Sequence, residues 1–484
     1  MKEFTSYQFY DGAYQPVSSE ETMANYYPGN GKFLCSVGVS SRKDVDEAIA
    51  SAERGFAVWS KMSGTARGRI LSKAAGLLRE RTEEIACIEV EDTGKPIAEA
   101  LEVDVATGAD ALEYFGGIAA TLHGDYYDLE GSFAYTRREP LGVCAGIGAW
   151  NYPVQIACWK AAPALACGNS MVFKPAELTP RSVLILAEVL KEAGVPDGVF
   201  NVVQGAAEVG QMLTEDERIR KVSLTGEVET GRKVMASAAK TLKHVTLELG
   251  GKSPLIICKD ADIDQAVDAA MIANFYTQGE ICSNGTRVFV QQEIKSLFLE
   301  KLIAKTERLK VGDPMDKQTE IGALISQEHY EKVLGYIEQG KQEAKLLTGG
   351  GPCAEASDGY YVLPTIFDVP DDEAVIAREE IFGPVMTVLT FAEEQEVINR
   401  ANATPFGLAA GVFTRDIQRA HRMVAQLQAG MCWINTYNDN PMEIPFGPYK
   451  QSGFGKENGL AALDAYSQLK TVQVQMEPIV SPYK

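Results

Sequence analysis

Between residues 141 and 258 the apolar positions fall into short runs at 141–147, 170–173, 199–203, 221–224, 244–247 and 255–258. Such runs, with little polar alternation, predict strands buried on both faces. The intervening segments 181–193 and 231–240 repeat apolar residues three and four positions apart, and Gly194 followed by Pro196 ends the first of them. Strands alternating with helices predict a parallel, doubly wound sheet, with ligands gathered at the carboxyl ends of its strands. Two amphipathic helix patterns, 45–61 and 66–88, are expected to cover that sheet. After the N-cap signal Asp260-Ala261-Asp262, a second series of helices and apolar strands runs to about residue 434 and predicts a second α/β unit. The stretches 126–138 and 471–480 alternate apolar and polar residues and read as strands in need of a partner.

Composition narrows the function classes. The 484 residues are 45% hydrophobic, enough for several cores, and no apolar stretch is long enough to span a bilayer. Residues 1–15 lack a basic segment followed by an apolar run, so no signal peptide is expected and the location predicted is cytoplasmic. With 46 basic against 66 acidic side chains the net charge is -20, which disfavours nucleic acid and anionic membrane as partners and mildly favours small cations. Nine cysteines without paired spacing argue against a disulfide framework or zinc site, and four scattered histidines argue against His-based chemistry.

Three segments carry candidate chemistry. In Gly279-Glu280-Ile281-Cys282-Ser283-Asn284 a cysteine follows an expected helix, 263–277, in a loop that either exposes a nucleophile or holds a structural thiol. Leu247-Glu248-Leu249-Gly250-Gly251-Lys252 sets a carboxylate at a strand end before two glycines that permit close approach of a ligand; Glu248 is either a desolvated base or a salt-bridged strand end. In Ala149-Trp150-Asn151-Tyr152-Pro153 the Asn151 amide either donates to a developing oxyanion or caps the helix starting near Pro153.

Together with Glu379-Glu380-Ile381-Phe382-Gly383-Pro384 and Lys450-Gln451-Ser452-Gly453, these segments resemble the aldehyde dehydrogenase superfamily over nearly the whole chain. Within it, 139–160 and Asn284-Gly285-Thr286-Arg287-Val288-Phe289-Val290 are similar to the betaine aldehyde dehydrogenases. The resemblance implies an NAD-binding domain over 1–125 and 142–257, a catalytic domain over 258–466, and a small β oligomerisation arm over 126–141 and 467–484. A homo-oligomer, a dimer or dimer of dimers, goes with that arm.

By the same resemblance Cys282 attacks the aldehyde carbon and Asn151 holds the oxyanion. Glu248 activates the water that opens the thioester, and Lys160 with Glu457 forms a more distant proton-relay pair. The fingerprint G-x-G-x-x-G is absent, since Gly146 and Gly148 lack a third glycine. NAD contacts are expected instead from Gly148, Ala149, Trp150 and Gly250, from Lys174 and Glu177 at the adenosine ribose, from Glu227 and Thr230 at a helix start, and from Glu380 and Phe382 at the nicotinamide ribose. A trimethylammonium substrate is best held by aromatic faces, for which Tyr152, Trp159, Tyr437 and Phe446 are candidates. The resemblance also implies potassium ions near Asn25, Tyr26, Asp92 and Leu178, and near Leu242, Lys450 and Gly453. This sequence departs from the family's usual residues at Glu227, where Ser or Gly is common, at Glu280 in place of Gln, at Ala206 and Ala207 after Gly205, and at Pro448 in place of glycine. Glu227 would set a negative charge beside the pyrophosphate unless it points to solvent. A cysteine hydrolase or acyltransferase would need a histidine near Cys282, and a non-catalytic binding protein would have no use for Cys282, Glu248 and Asn151 together. The runner-up activity is a broad-range aldehyde or aminoaldehyde dehydrogenase.

Overall fold

The computed structural model describes residues 7–356 and 358–483; residues 1–6, part of the stretch examined for a leader, and residue 484 lie outside them. Five of the six expected runs become neighbours in one sheet, in the order His244–Leu249, Ile219–Gly226, Val143–Ile147, Ser170–Lys174, Phe200–Val202, all parallel. Antiparallel additions extend both edges, Gly453–Phe454 at one and the hairpin Tyr7–Tyr10 with Ala13–Pro16 at the other. Alternate side chains feed two cores. Val143, Ala145 and Ile147 pack with Val45 and Ile49 of the helix Arg42–Trp59, while Cys144 and Phe173 face the helices Gly64–Glu80 and Ser182–Ala193. The chain winds from Val143–Ile147 to one side and then returns to the other, so the strand order reverses between Val143–Ile147 and Ile219–Gly226.

The sixth run changes sheets. Pro254–Ile257, expected in the first series, pairs instead with Arg287–Gln291 and Ala409–Phe413. It belongs to a second sheet ordered Lys345–Thr348, Thr365–Asp368, Val385–Phe391, Arg287–Gln291, Pro254–Ile257, Ala409–Phe413, Met431–Ile434, parallel except at Lys345–Thr348. Apolar residues on both faces suit either sheet equally, and a partner strand over 150 residues away in sequence decides between them.

The pattern 66–88 is also two helices, Gly64–Glu80 and Thr82–Thr93. Arg81 leaves helical geometry at φ -102° and ψ 16° and pairs with Glu84 and Glu188, so a tertiary ion pair sits where the pattern predicts continuity. The alternating stretches form a separate three-stranded antiparallel sheet, Tyr126–Leu129, Ser132–Pro140 and Ser467–Gln475. The partner each stretch needs lies in the same chain, and Ser467–Gln475 is left as a nine-residue edge. Among the described residues no helix is long and apolar enough to cross a membrane.

Candidate active site

A cavity of about 1680 Å³ runs between the carboxyl ends of the first sheet and the amino ends of the second. From the first sheet it takes Gly148 to Tyr152 after one strand, Lys174 at the end of the next, Gly226 and Glu227, and Glu248 to Gly250. From the second it takes the loop that precedes Arg287–Gln291 and the segment Glu380 to Phe382 that precedes Val385–Phe391.

The cysteine loop departs from helical geometry as soon as the helix Ile263–Phe275 ends. Thr277 and Gln278 sit at φ 49° and 42°, left-handed backbone that non-glycine residues adopt at a cost of about 1–3 kcal/mol each. Glu99 offsets that cost by accepting from the Thr277 N–H at 3.0 Å and from its hydroxyl at 2.9 Å, and the Tyr152 hydroxyl meets Thr277 Oγ1 at 2.6 Å. At Gly279, φ 80°, a Cβ would stand 2.2 Å from the Gly383 carbonyl oxygen, so no other residue fits. The loop delivers Cys282 half-buried to the cavity. Burial, with the negative charges of Glu380 and Glu248 behind it, pushes the thiol up to about 12, against the N–H groups of Cys282 and Ser283 that favour the thiolate.

Glu248 is buried, and neither carboxyl oxygen has a hydrogen-bond partner among the described residues. Burial, then the neighbouring Glu457, drives its pKa well above the carboxylate range, while Lys160 and Lys456 pull the other way. Among the described residues Glu248 has no salt bridge of the kind the alternative reading required. Behind it Lys160 Nζ donates to Glu457 Oε1 at 2.9 Å and to Ser223 Oγ at 3.0 Å, and Ser223 closes the triangle on Glu457 at 3.0 Å. All three are buried.

Asn151 makes no cap for the helix Pro153–Ala166. Its amide donates one hydrogen to the Glu280 carbonyl, 2.9 Å away and two residues before Cys282, and the second hydrogen is available to another acceptor. Sulfur, carboxyl and amide thus line one cavity. That set can add a nucleophile to a carbonyl, hold the resulting oxyanion and activate water.

The cofactor candidates form a continuous groove. Lys174 Nζ is held by the carbonyls of Pro175 and Gly205 at 2.9 and 2.7 Å and stands 3.5 Å from the Glu177 carboxylate. Glu227 is exposed at the start of the helix Val228–Ala239, caps nothing and lines the cavity, where its negative charge is felt at Glu380, so the condition of pointing away from the groove is not met; Thr230 is exposed one turn on. At Gly250 a Cβ would stand 2.0 Å from Glu380 Oε2, and Glu380 accepts from the Gly251 N–H at 2.9 Å. Burial pushes Glu380 up to about 7. Phe382, at φ 61°, stands edge-to-face with Trp150. A donor and an acceptor for one ribose, Lys174 and Glu177, with the Glu380 carboxyl for the other, open helix amides and a glycine floor fit a dinucleotide.

All four aromatic candidates line the cavity. Trp159 and Phe446 meet edge-to-face with centroids 5.8 Å apart. Tyr437 also supports the cysteine loop: its hydroxyl donates to the Ser283 carbonyl at 2.9 Å and its ring packs on Gly411 and Trp433. Of the potassium candidates, Asn25 Nδ2 lies 3.2 Å from both Asp92 Oδ1 and the Leu178 carbonyl, Asp92 Oδ1 also accepts from Arg181 Nε at 2.6 Å, and the buried Asn25 Oδ1 has no partner among the described residues, which leaves that oxygen for a hard cation. The Tyr26 ring is exposed on Phe33. Leu242 is exposed, and no hydrogen bond among the described residues ties it to Lys450, whose amine reaches the Asn402 and Thr404 carbonyls, or to Gly453, which pairs with Glu248.

Sequence reasoning missed Tyr276 and His329. Tyr276 lines the cavity from the end of the segment 263–277, whose sequence reads only as a helix. His329 gives its Nε2 to the Phe382 carbonyl at 2.6 Å, packs on Trp150, and is lowered by burial to about 4, so it is neutral. It stands 3.6 Å from buried Glu280, which burial raises to about 8 and which accepts from Gln278 and the Ile325 N–H. The only early signal was Glu280 itself.

Residues 14–472 match the aldehyde dehydrogenase family. The chain is 56% identical over 478 residues, 98% of each chain, to the betaine aldehyde dehydrogenase of Sinorhizobium fredii. It is similar to the crystal structure of a putative aldehyde dehydrogenase from Burkholderia cenocepacia, at 38% identity and a TM-score of 0.97, covering 100% of this chain and 99% of that one. It is also similar to an indole-3-acetaldehyde dehydrogenase solved in complex with NAD+, at 39% identity and a TM-score of 0.95 over 98% and 97% of the two chains.

Proposed function

The chain belongs to the aldehyde dehydrogenase family, and from that premise we propose that it oxidises betaine aldehyde to glycine betaine with NAD, through a thioester on Cys282. The observation that carries this is the single cavity holding Cys282, Glu248 and Asn151 beside a groove fitted to a dinucleotide.

In this reading the Cys282 sulfur forms a C–S bond to the aldehyde carbon as its proton passes to ionised Glu248 or to water, and the free Asn151 hydrogen meets the developing oxyanion. Burial keeps the thiol protonated in the resting cavity, and a cationic substrate near the sulfur favours the thiolate. NAD, when bound, supplies the hydride acceptor; Lys174, Glu177, Gly250 and Glu380 are the residues placed to hold it. Glu248, once ionised, takes a proton from the water that attacks the thioester carbon, the C–S bond breaks, and the acid leaves. Lys160 and Glu457 supply opposed charges from behind Glu248, a setting suited to passing that proton on. Asn25, Asp92 and Leu178 would hold a potassium ion away from the chemistry. The location proposed is cytoplasmic, and the open edge of Ser467–Gln475 supports assembly with a second copy.

The test is NADH formation against betaine aldehyde, aminobutyraldehyde and simple aliphatic aldehydes, with Cys282→Ala as the blank. Betaine aldehyde is expected to give the highest kcat/KM and the blank a loss of at least about 10³-fold. A flat response to betaine aldehyde overturns the substrate assignment.

A further inference from the structure

Behind the substrate-side wall lies a buried charge cluster that the chemistry above does not use. Lys95 Nζ sits 3.7 Å from the centroid of the Tyr152 ring and pairs with Asp104 Oδ2 at 2.6 Å, both residues fully buried. Glu99 joins through Thr277, to which the Tyr152 hydroxyl is bonded. Glu89 accepts from the Val154 N–H at 2.9 Å, at the start of the helix that follows Tyr152. One face of Tyr152 is therefore occupied by a cation of the protein's own, and only the remainder of the ring is left for the cavity.

An ammonium ion on one face of an aromatic ring opposes a second cation on the other, and Asp104 offsets that opposition from farther back. We propose that the Lys95–Asp104 pair, acting through Tyr152, sets how strongly this enzyme prefers a cationic aldehyde over a neutral one of the same shape. The pair limits that preference. This proposal rests on the betaine aldehyde reading and assigns Lys95 as a specificity-determining residue that touches neither substrate nor cofactor.

The probe is the ratio of kcat/KM for betaine aldehyde to that for tert-butylacetaldehyde, which replaces the quaternary nitrogen with carbon and keeps the shape. Lys95→Gln keeps a hydrogen-bond donor for Asp104 and removes the charge, and is expected to raise the ratio about fivefold, through a lower KM for the cationic aldehyde. Lys95→Arg restores the charge on the ring and is expected to return the ratio toward the wild-type value. Folding is checked separately, by thermal melts, so that only a charge-free variant that melts as a folded protein is scored, and Lys95→Met carries the same test if the Gln variant does not fold. An unchanged or lower ratio in the charge-free variant, with wild-type enzyme active on betaine aldehyde, overturns this proposal alone. Wild-type enzyme inert toward betaine aldehyde overturns the substrate reading and this proposal with it.

Discussion

The two parallel sheets share an architecture and differ in which end is open. In the first, the carboxyl ends face the cavity, and glycines and a carboxyl that has no hydrogen bond among the described residues stand there. In the second, the carboxyl ends are closed by a polar seam. Asp260 accepts from the Thr414 hydroxyl at 2.9 Å and from Arg419 at 2.7 Å, and Thr414 exchanges hydrogen bonds with Asn435. The second sheet meets the cavity mainly with its amino ends, from which Cys282 comes, joined by residues 437–442 after the edge strand Met431–Ile434. The expectation that ligands gather at carboxyl ends holds for one wall and is reversed for the other.

Glu248→Gln tests the first wall most severely. It is expected to slow steady-state turnover about 10²- to 10⁴-fold while leaving a first burst of NADH of one equivalent per site, because acylation on the second wall survives. Loss of the burst in rapid-mixing absorbance would show that the walls are not separable in this way. Asn151→Ala, which removes the amide joining the walls, is expected to lower kcat about 10²-fold with a smaller change in KM. The closed end of the second sheet should matter to stability alone. Asp260→Ala is expected to cost about 1–2 kcal/mol in denaturant melts and to leave KM for the aldehyde unchanged. The Asp260 carboxyl lies below its usual range: partial burial opposes this, and the bonds from Thr414 and Arg419 outweigh it. Its contribution is therefore complete at neutral pH and is lost as pH falls through and below the ordinary carboxylate range, so the stability gap between wild type and Asp260→Ala should narrow in acid.

Much of the first wall was legible in the sequence, since short apolar runs and strand-end glycines are local signals. Glu248 and Asn151 stood out because each follows such a run directly. The second wall was less legible, because its features depend on distant contacts. Pro254–Ile257 carries no mark of its sheet, and nothing in Thr277 or Gln278 announces left-handed backbone that Glu99, some 180 residues earlier, holds in place. Tyr437 reads as a ligand-facing aromatic and lines the cavity, but the bond by which its hydroxyl also holds the cysteine loop depends on a residue 154 positions away. Lys95 carried no signal, because a lysine in sequence looks like a solvated surface charge and only burial against Asp104 and Tyr152 gives it another meaning.

The edge-to-face placement of Trp150 on Phe382, and of Trp159 on Phe446, has a practical consequence. Two of the chain's four indoles sit in the cavity, one toward each end of the chemistry. Intrinsic fluorescence can therefore follow dinucleotide and aldehyde arrival as separate optical events, without a label, once either indole is replaced by phenylalanine.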